Sequence, residues 1–167
     1  MKPSRLAVDT NVLLDLADGV QDVLDGVAVI DDRLPDAEWL VTPGVLDELV
    51  YLADSGKGQT VRQSARQAIQ ILRGKDRFRP ILELPFAPEN AEKLAAEFRR
   101  CGLLPDAEVH DALILAETVF LDCHILLTSD EHLRSLDHQQ LTWLLNQRDF
   151  TAPVIATPRE IVGKFFR

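Results

Sequence analysis

Four acidic residues, each next to an apolar run, are the side chains of this sequence best placed to do chemistry. Asp9 and Asp130 each follow a short apolar run typical of a buried strand, whereas Glu48 and Asp111 lie in apolar helical patterns. Carboxylates lose hydration near a core, so this repeated placement is best explained by a bound cation. Carboxylate oxygens without paired His or Cys favour Mg²⁺ or Mn²⁺ over zinc.

Three of the four carboxylates also have a purely structural explanation. Asp9 could start a turn, Asp130 could cap a helix, and Glu48 could complement a helix dipole beside its neighbour Asp47. Glu48, unlike Asp47, shares a helix face with apolar residues and is therefore the stronger candidate. Asp111 would be partly buried within its apolar helix and so needs a partner.

Other polar residues close in sequence could support these acids. Asp106, which follows a proline, is predicted to be the N-cap of the helix that carries Asp111. Glu108 lies one turn before Asp111 and is predicted either to join the site or to be a first-turn acid. The remaining candidates, which could orient the carboxylates through hydrogen bonds, are Thr10, Asn11, Thr128 and Ser129.

A basic segment runs from residue 57 to residue 79 in a chain whose formal net charge is −9. Against the single acid Asp76 it holds Lys57, Arg62, Arg66, Arg73, Lys75, Arg77 and Arg79. Arg62, Arg66 and Arg73 fall near one face of a predicted helix, where they could contact a phosphate backbone or only solvent. The acidic total excludes a simple basic nucleic-acid coat protein.

The elements that must position these residues alternate between strands and helices. Strands are predicted at residues 6–8, 39–41, 80–84, 124–128 and 154–156. Helices are predicted at residues 11–17, 43–52, 59–72, 88–101 and 107–121, from a Ser129 cap through 145, and after a Thr157–Glu160 capping box. This alternation predicts an α/β fold with a parallel sheet covered by helices. Ligand sites in such sheets lie at the carboxyl ends of the strands, where Asp9 and Asp130 are expected.

Length and composition fit one domain spanning residues 1–167, with 46% hydrophobic residues and no repeat or linker. Cys101 and Cys123 have neither zinc-site spacing nor the density of a disulfide scaffold, which indicates a reducing compartment. No apolar run reaches membrane-spanning length, and the first strand leaves no room for a secretory signal. The expectation is a cytoplasmic protein that does not insert into membranes.

The order and context of the four acids resemble the PIN-domain family of metal-dependent nucleases. The segments that carry the resemblance are Asp9-Thr10-Asn11, Val45-Leu46-Asp47-Glu48-Leu49, Asp111-Ala112 and Thr128-Ser129-Asp130. The resemblance implies a three-layer α/β/α sandwich with a mainly parallel sheet in strand order 3-2-1-4-5. It also implies that the four acids are the catalytic metal ligands, for Mg²⁺ or Mn²⁺.

The activity implied by the resemblance is endonucleolytic cleavage of RNA. Many small bacterial members of the family are toxins held by an antitoxin, so an antitoxin protein is a candidate partner, as is a second copy of this chain. Two alternatives remain open. One is a PIN-like binding module that does not cut, and the other is a phosphatase with Asp9 as nucleophile, whose expected second Asp is here Asn11.

Overall fold

The fold is built on one parallel sheet. The computed structural model describes residues 2–74 and 77–165, so Lys75 and Asp76 of the basic segment lie outside the described residues. The strands are β1 (Arg5–Val8), β2 (Glu38–Val41), β3 (Phe78–Pro80), β4 (Ile125–Leu127) and β5 (Val154–Ala156). Their order is β3-β2-β1-β4-β5, all parallel, which confirms the predicted α/β class and strand order.

Helices connect successive strands, as parallel pairing requires. They are α1 (Thr10–Ala17), α2 (Gln21–Arg33), α3 (Pro43–Ser55), α4 (Gln59–Arg73), α5 (Pro88–Arg100), α6 (Val109–Phe120), α7 (Glu131–Ser135), α8 (His138–Asn146) and α9 (Pro158–Phe165). Within the described part of the chain, no helix is long and apolar enough to cross a membrane.

β1 is the central strand and carries the first candidate ligand at its carboxyl end. Leu6 pairs with Trp39 of β2 on one side and with Ile125 of β4 on the other. Leu6 and Ala7 are fully buried, which fits the continuous apolar run expected of a strand covered on both faces. Asp9 directly follows β1 and therefore lies at the edge of the core.

Two helix starts agree with their sequence signals. Thr42 caps α3, where its hydroxyl accepts the N–H of Val45 at 3.5 Å, with Pro43 in the first turn. Thr157 precedes α9, and its hydroxyl accepts the N–H of Glu160 at 3.0 Å and donates to the Glu160 carboxylate at 3.1 Å. The first half of the predicted capping box is thus confirmed, while the Glu160 carboxylate bonds to the threonine hydroxyl.

The sheet edge and one helix differ from the sequence predictions. The strand predicted at residues 80–84 is wrong, because β3 lies earlier and ends at Pro80, opposite Val41. The N–H of Ile81 still reaches the carbonyl of Val41 at 2.9 Å, after which the chain leaves the sheet. The helix α2 was not predicted, although Val23, Val27 and Ile30 recur along it at helical spacing.

The region after β4 also differs from the prediction. Ser129 is not a helix cap: Asp130 caps α7, where its Oδ1 accepts the N–H of Leu133 at 3.1 Å. The single helix predicted through residue 145 is in fact α7 and α8. The helical pattern breaks because Leu136 is extended and Asp137 caps α8 by accepting two backbone N–H groups.

The start of α6 is likewise later than predicted. Its N-cap is Glu108, so the prediction that Asp106 caps this helix is wrong. The carbonyl of Asp106 instead accepts a hydrogen bond from Arg99 at 3.0 Å. This shift brings Glu108 to the position directly before the helix that carries Asp111.

Candidate metal centre

Asp9 is the most enclosed of the candidate ligands, with 3% of its surface exposed. It ends β1 and is the N-cap of α1 in an extended backbone conformation. One carboxylate oxygen accepts the N–H of Thr10 at 2.7 Å, and the other accepts the hydroxyl of Thr128 at 2.6 Å. These two donors come from the strands' carboxyl ends and hold the carboxylate in one orientation.

The surroundings of Asp9 disfavour its charge. Burial raises the pKa of Asp9 to about 6, although the hydrogen bonds from Thr128 and Thr10 lower it. The charges of Glu48 and Asp130 raise the pKa further. The carboxylate would therefore be stabilised by a nearby cation.

Glu48 lies in the second turn of α3 and is joined to Asp9 through one residue. The hydroxyl of Thr10 donates to Glu48 Oε2 at 2.6 Å, while the N–H of Thr10 donates to Asp9. Thr10 is itself buried, with 3% exposed. This bridging threonine places the carboxylates of Asp9 and Glu48 side by side.

Asp130 follows β4 and is linked to Asp9 through Thr128. Its N–H donates to the hydroxyl of Thr128 at 3.0 Å, so Thr128 links Asp130 to Asp9. The N–H of Ser129 donates to the side-chain oxygen of Asn11 at 3.2 Å, which ties α1 to the loop after β4. Of the four predicted supporting residues, Thr10 and Thr128 therefore contact carboxylates directly, and Asn11 and Ser129 contact each other.

Asp111 approaches from the first turn of α6. Burial and then a hydrogen bond with Glu108 raise the pKa of Asp111 to about 8. The charges of Asp130, Asp9 and Glu108 act in the same direction. Asp111 thus lies within electrostatic reach of acids from both central strands, and Glu108 belongs to the same group.

The donor chemistry of this group suits a hard cation that keeps some of its waters. In the described ranges 2–74 and 77–165, no three His, Cys, Asp or Glu side chains are arranged to hold one ion directly. Mg²⁺ is commonly held by one or two carboxylates, with water in its remaining positions. The acidic group therefore fits a Mg²⁺ or Mn²⁺ ion that keeps water molecules as its remaining ligands.

Sequence reasoning missed two residues on the elements that carry these acids. One is His132, whose Nε2 lies 3.3 Å from a Glu108 oxygen. The signal that could have found it is its position two residues after Asp130. Glu117 is buried on α6, and its signal is an acid inside an otherwise apolar helical run.

The three arginines proposed for substrate contact occupy different surroundings. Arg62 donates to the carbonyl of Gly56 at 2.9 Å and so is bonded to its own chain. Arg66 is exposed, and Arg73 lines an apolar groove between α3, α4 and β3. No contact between described residues joins these arginines to the acidic group, so their role stays a prediction.

Comparison with solved structures gives similar folds at low sequence identity. VapBC2 from Rickettsia felis, solved with a DNA fragment from its promoter, matches with TM-score 0.60 and 14% identity over 92% of this chain and 98% of that chain. VapBC-1 from nontypeable Haemophilus influenzae matches with TM-score 0.54 and 16% identity over 92% and 98% of the two chains. VapBC-5 from Mycobacterium tuberculosis, described as a member of the VapBC family of toxin-antitoxin systems, matches with TM-score 0.50 and 16% identity over 93% and 98%.

At 14–16% identity these solved structures show only the fold, so the family has to be assigned from a sequence match. No protein with a curated description matches the chain. The sequence model of the PIN domain matches residues 6–139, which is more than half of the chain. The matched range includes all four acids and both threonines that bond to them. The chain therefore belongs to the PIN-domain family.

Proposed function

We propose that this chain is a metal-dependent endoribonuclease. The observation that carries the proposal is the convergence of acids on Asp9, whose charge interacts with those of Glu48, Asp111 and Asp130 near the carboxyl ends of β1 and β4. Membership of a family of nucleases supports it. The residues that would hold Mg²⁺ or Mn²⁺ are these four, with Glu108 beside Asp111.

The roles of the chain's own residues follow from their contacts. A bound Mg²⁺ or Mn²⁺ would supply an activated water and neutralise charge on a phosphodiester. Thr10 and Thr128 orient Asp9 by donating to its two oxygens, and Thr10 also orients Glu48. Glu108 shares a hydrogen bond with Asp111 and would hold Asp111 in one orientation beside the cation.

Two other functions compete with this proposal. A phosphatase with Asp9 as nucleophile would release phosphate from monoesters, whereas a nuclease would shorten polymers. A binding module would retain RNA without shortening it. Family membership favours the nuclease over the phosphatase, and cleavage products separate all three.

The decisive experiment compares the parent chain with Asp9→Asn on a mixed pool of RNA and DNA with Mg²⁺ or Mn²⁺. We expect metal-dependent RNA fragments from the parent and a loss of at least about 100-fold in the variant, because a neutral amide attracts the cation less strongly. Asp106→Asn, an exposed acid before α6, is the matched control and should cut like the parent. A parent protein that cuts neither polymer, after removal of copurifying protein, would exclude the proposal.

We further infer that the chain pairs with a protein antitoxin. One of the solved structures with a similar fold is described as belonging to a toxin-antitoxin family. The groove between α3, α4 and β3 has a volume of about 780 Å³ and is lined by Leu46, Ile69 and Leu72 together with the exposed Val50 and Leu82. Such a groove can receive the apolar face of a partner helix.

A further inference from the structure

A buried carboxylate outside the acidic group connects two of the helices that contribute to it. Glu117 lies on α6, six residues after Asp111, and only 3% of it is exposed. Its Oε1 accepts the N–H of Gly44 at 2.9 Å, and its side chain also hydrogen-bonds with Thr42. Gly44 lies one turn before Glu48 on α3. The contact therefore joins the helix of Asp111 to the helix of Glu48.

The first turn of α3 depends on this contact. Pro43 has no N–H, while the N–H groups of Val45 and Leu46 bond to the hydroxyl and the carbonyl of Thr42. The buried N–H of Gly44 bonds to Glu117. Since an unpaired N–H at a buried helix start is costly, Glu117 completes the hydrogen bonding of this turn.

The close approach also requires the glycine. A Cβ atom at position 44 would lie 2.6 Å from Glu117 Oε1, which is inside contact distance. A side chain at this position would thus push the carboxylate away from the backbone. The hydrogen bond between Gly44 and Glu117 therefore depends on both residues: the acid provides the acceptor, and the glycine leaves space for it.

We propose that Glu117 is a positioning residue that fastens α3 to α6 and so fixes where Glu48 stands relative to Asp9 and Asp111. Glu117 holds α3 at its first turn, and Thr10 holds the same helix at Glu48 in its second turn. The effect of this link on cleavage rests on the proposed function, but the link itself does not.

The choice of an acid at this buried position supports positioning over simple packing. Neighbouring buried residues of α6 include Ile114, Leu115 and Val119, among which an apolar side chain would be easier to bury. An apolar side chain would not bond to one particular N–H. Burial raises the pKa of Glu117 to about 7, although its bonds to Gly44 and Thr42 lower it. Burying the Glu117 carboxylate costs hydration free energy, and its bond to Gly44 gives one defined contact between α6 and α3.

The test replaces Glu117 in two ways. Glu117→Gln keeps an oxygen that can accept the N–H of Gly44, whereas Glu117→Leu removes the acceptor at similar volume. Thr118→Val is the matched control, because the Thr118 hydroxyl is buried on the same helix but bonds within it, to the carbonyl of Ile114 at 2.7 Å. Three measurements apply to each variant: amide NMR signals of Thr10 and Glu48 without metal, Mn²⁺ affinity by calorimetry, and kcat and KM for RNA.

For Glu117→Leu we expect displaced Thr10 and Glu48 signals, Mn²⁺ affinity lower by about 10-fold, and a lower kcat at similar KM. Glu117→Gln and Thr118→Val should stay within about 2-fold of the parent in Mn²⁺ affinity, because a preserved link leaves the metal-binding carboxylates in place. A folded Glu117→Leu protein with parent-like signals and affinity would overturn the proposal.

Should Glu117→Leu not fold, Gly44→Ala provides a second route, since it displaces the carboxylate without removing it. We expect it to move the Glu48 signal in the same way, and unchanged signals would overturn the proposal. A parent that binds no Mn²⁺ and cuts no RNA would refute the proposed function alone. The NMR signals would still decide whether Glu117 positions Glu48.

Discussion

At the scale of single residues, two of the three aspartates in the acidic group have different neighbours. Asp9 is deeply buried but receives hydrogen bonds on both oxygens, and its pKa rises to about 6. Asp111 receives no comparable compensation and shares a hydrogen bond with Glu108, so its pKa rises to about 8. Protons and cations therefore compete for the same carboxylates, and lower pH should weaken metal binding.

Asp111 should destabilise the metal-free protein as the pH rises. Its pKa is near 3.8 when unfolded and about 8 when folded, so the folded state holds an extra proton between these values. The free energy of unfolding then falls as pH rises towards 8. Asp111→Asn removes this loss, and we expect its Tm at pH 8 to exceed that of the parent by roughly 2–8 °C, or about 1–2 kcal/mol.

Calorimetry at pH 5 and pH 8, with chelator present, measures this prediction. The advantage of Asp111→Asn should be small at pH 5 and larger at pH 8. Asp106→Asn changes an exposed acid near the same helix and should show no such difference. Equal Tm values for Asp111→Asn and the parent at pH 8 would mean that Asp111 is not held in a repulsive environment.

The positions of these acids could be predicted from sequence where the end of a strand determines them. Asp9 and Asp130 could be located because a buried parallel strand brings its carboxyl end to the sheet edge. Glu117 could not be recognised as a link, since its acceptor role depends on Gly44, 73 residues away in the chain. The contact of His132 could not be predicted for a similar reason, because it joins α7 to Glu108 at the start of α6.

At the scale of elements, α4 presents the arginines proposed for substrate contact. Arg62 is bonded to Gly56, which leaves Arg66 and Arg73 as the exposed candidates on this helix. Replacing both with Gln in the Asp9→Asn background should weaken RNA binding and reduce the slope of log K against log salt by about 2. Metal affinity should not change, because neither arginine contacts the acids.

Binding titrations with single-stranded RNA at several salt concentrations provide the measurement. Replacing Arg159 and Lys164 of α9 with Gln removes the same charge from another exposed helix and is the matched control. If both double variants reduce the slope equally, the effect is one of total charge and the assignment to α4 is wrong.

Element boundaries were predictable where local chemistry decides them. Thr42-Pro43 and Thr157 mark helix starts through their own side chains, and the structure has these caps. The error at residues 80–84 arose because β3 is fixed by pairing with β2, which a local apolar pattern does not reveal. The break between α7 and α8 was missed because the apolar spacing continues across Leu136.

At the scale of the whole molecule, the apolar groove predicts how a partner would act. Exposed Val50 and Leu82 lie at its surface, with Arg73, Arg77 and Arg79 in its lining. Co-expression with the proposed antitoxin should give a stable complex that no longer cuts RNA. Val50→Lys with Leu82→Lys should abolish the complex but leave cleavage intact, because a buried charge in an apolar interface is costly.

Size-exclusion chromatography and RNA cleavage together measure this outcome. The control places the same two charges at Val20 and Leu24, which are exposed at the start of α2 away from the groove. Complex formation by the groove variant, or its loss in the control variant, would assign the partner to another surface.

The bond between Thr128 and Asp9 has a consequence for the protein's synthesis. It joins residues 119 positions apart, and the central strand β1 needs β4 as its second neighbour. A chain still on the ribosome lacks Thr128, Asp130 and α6 until most of it has been made. Contacts of such long range form late in folding. The proposed cleavage of RNA should therefore be absent during most of the chain's own translation, and should begin only when its last third has emerged.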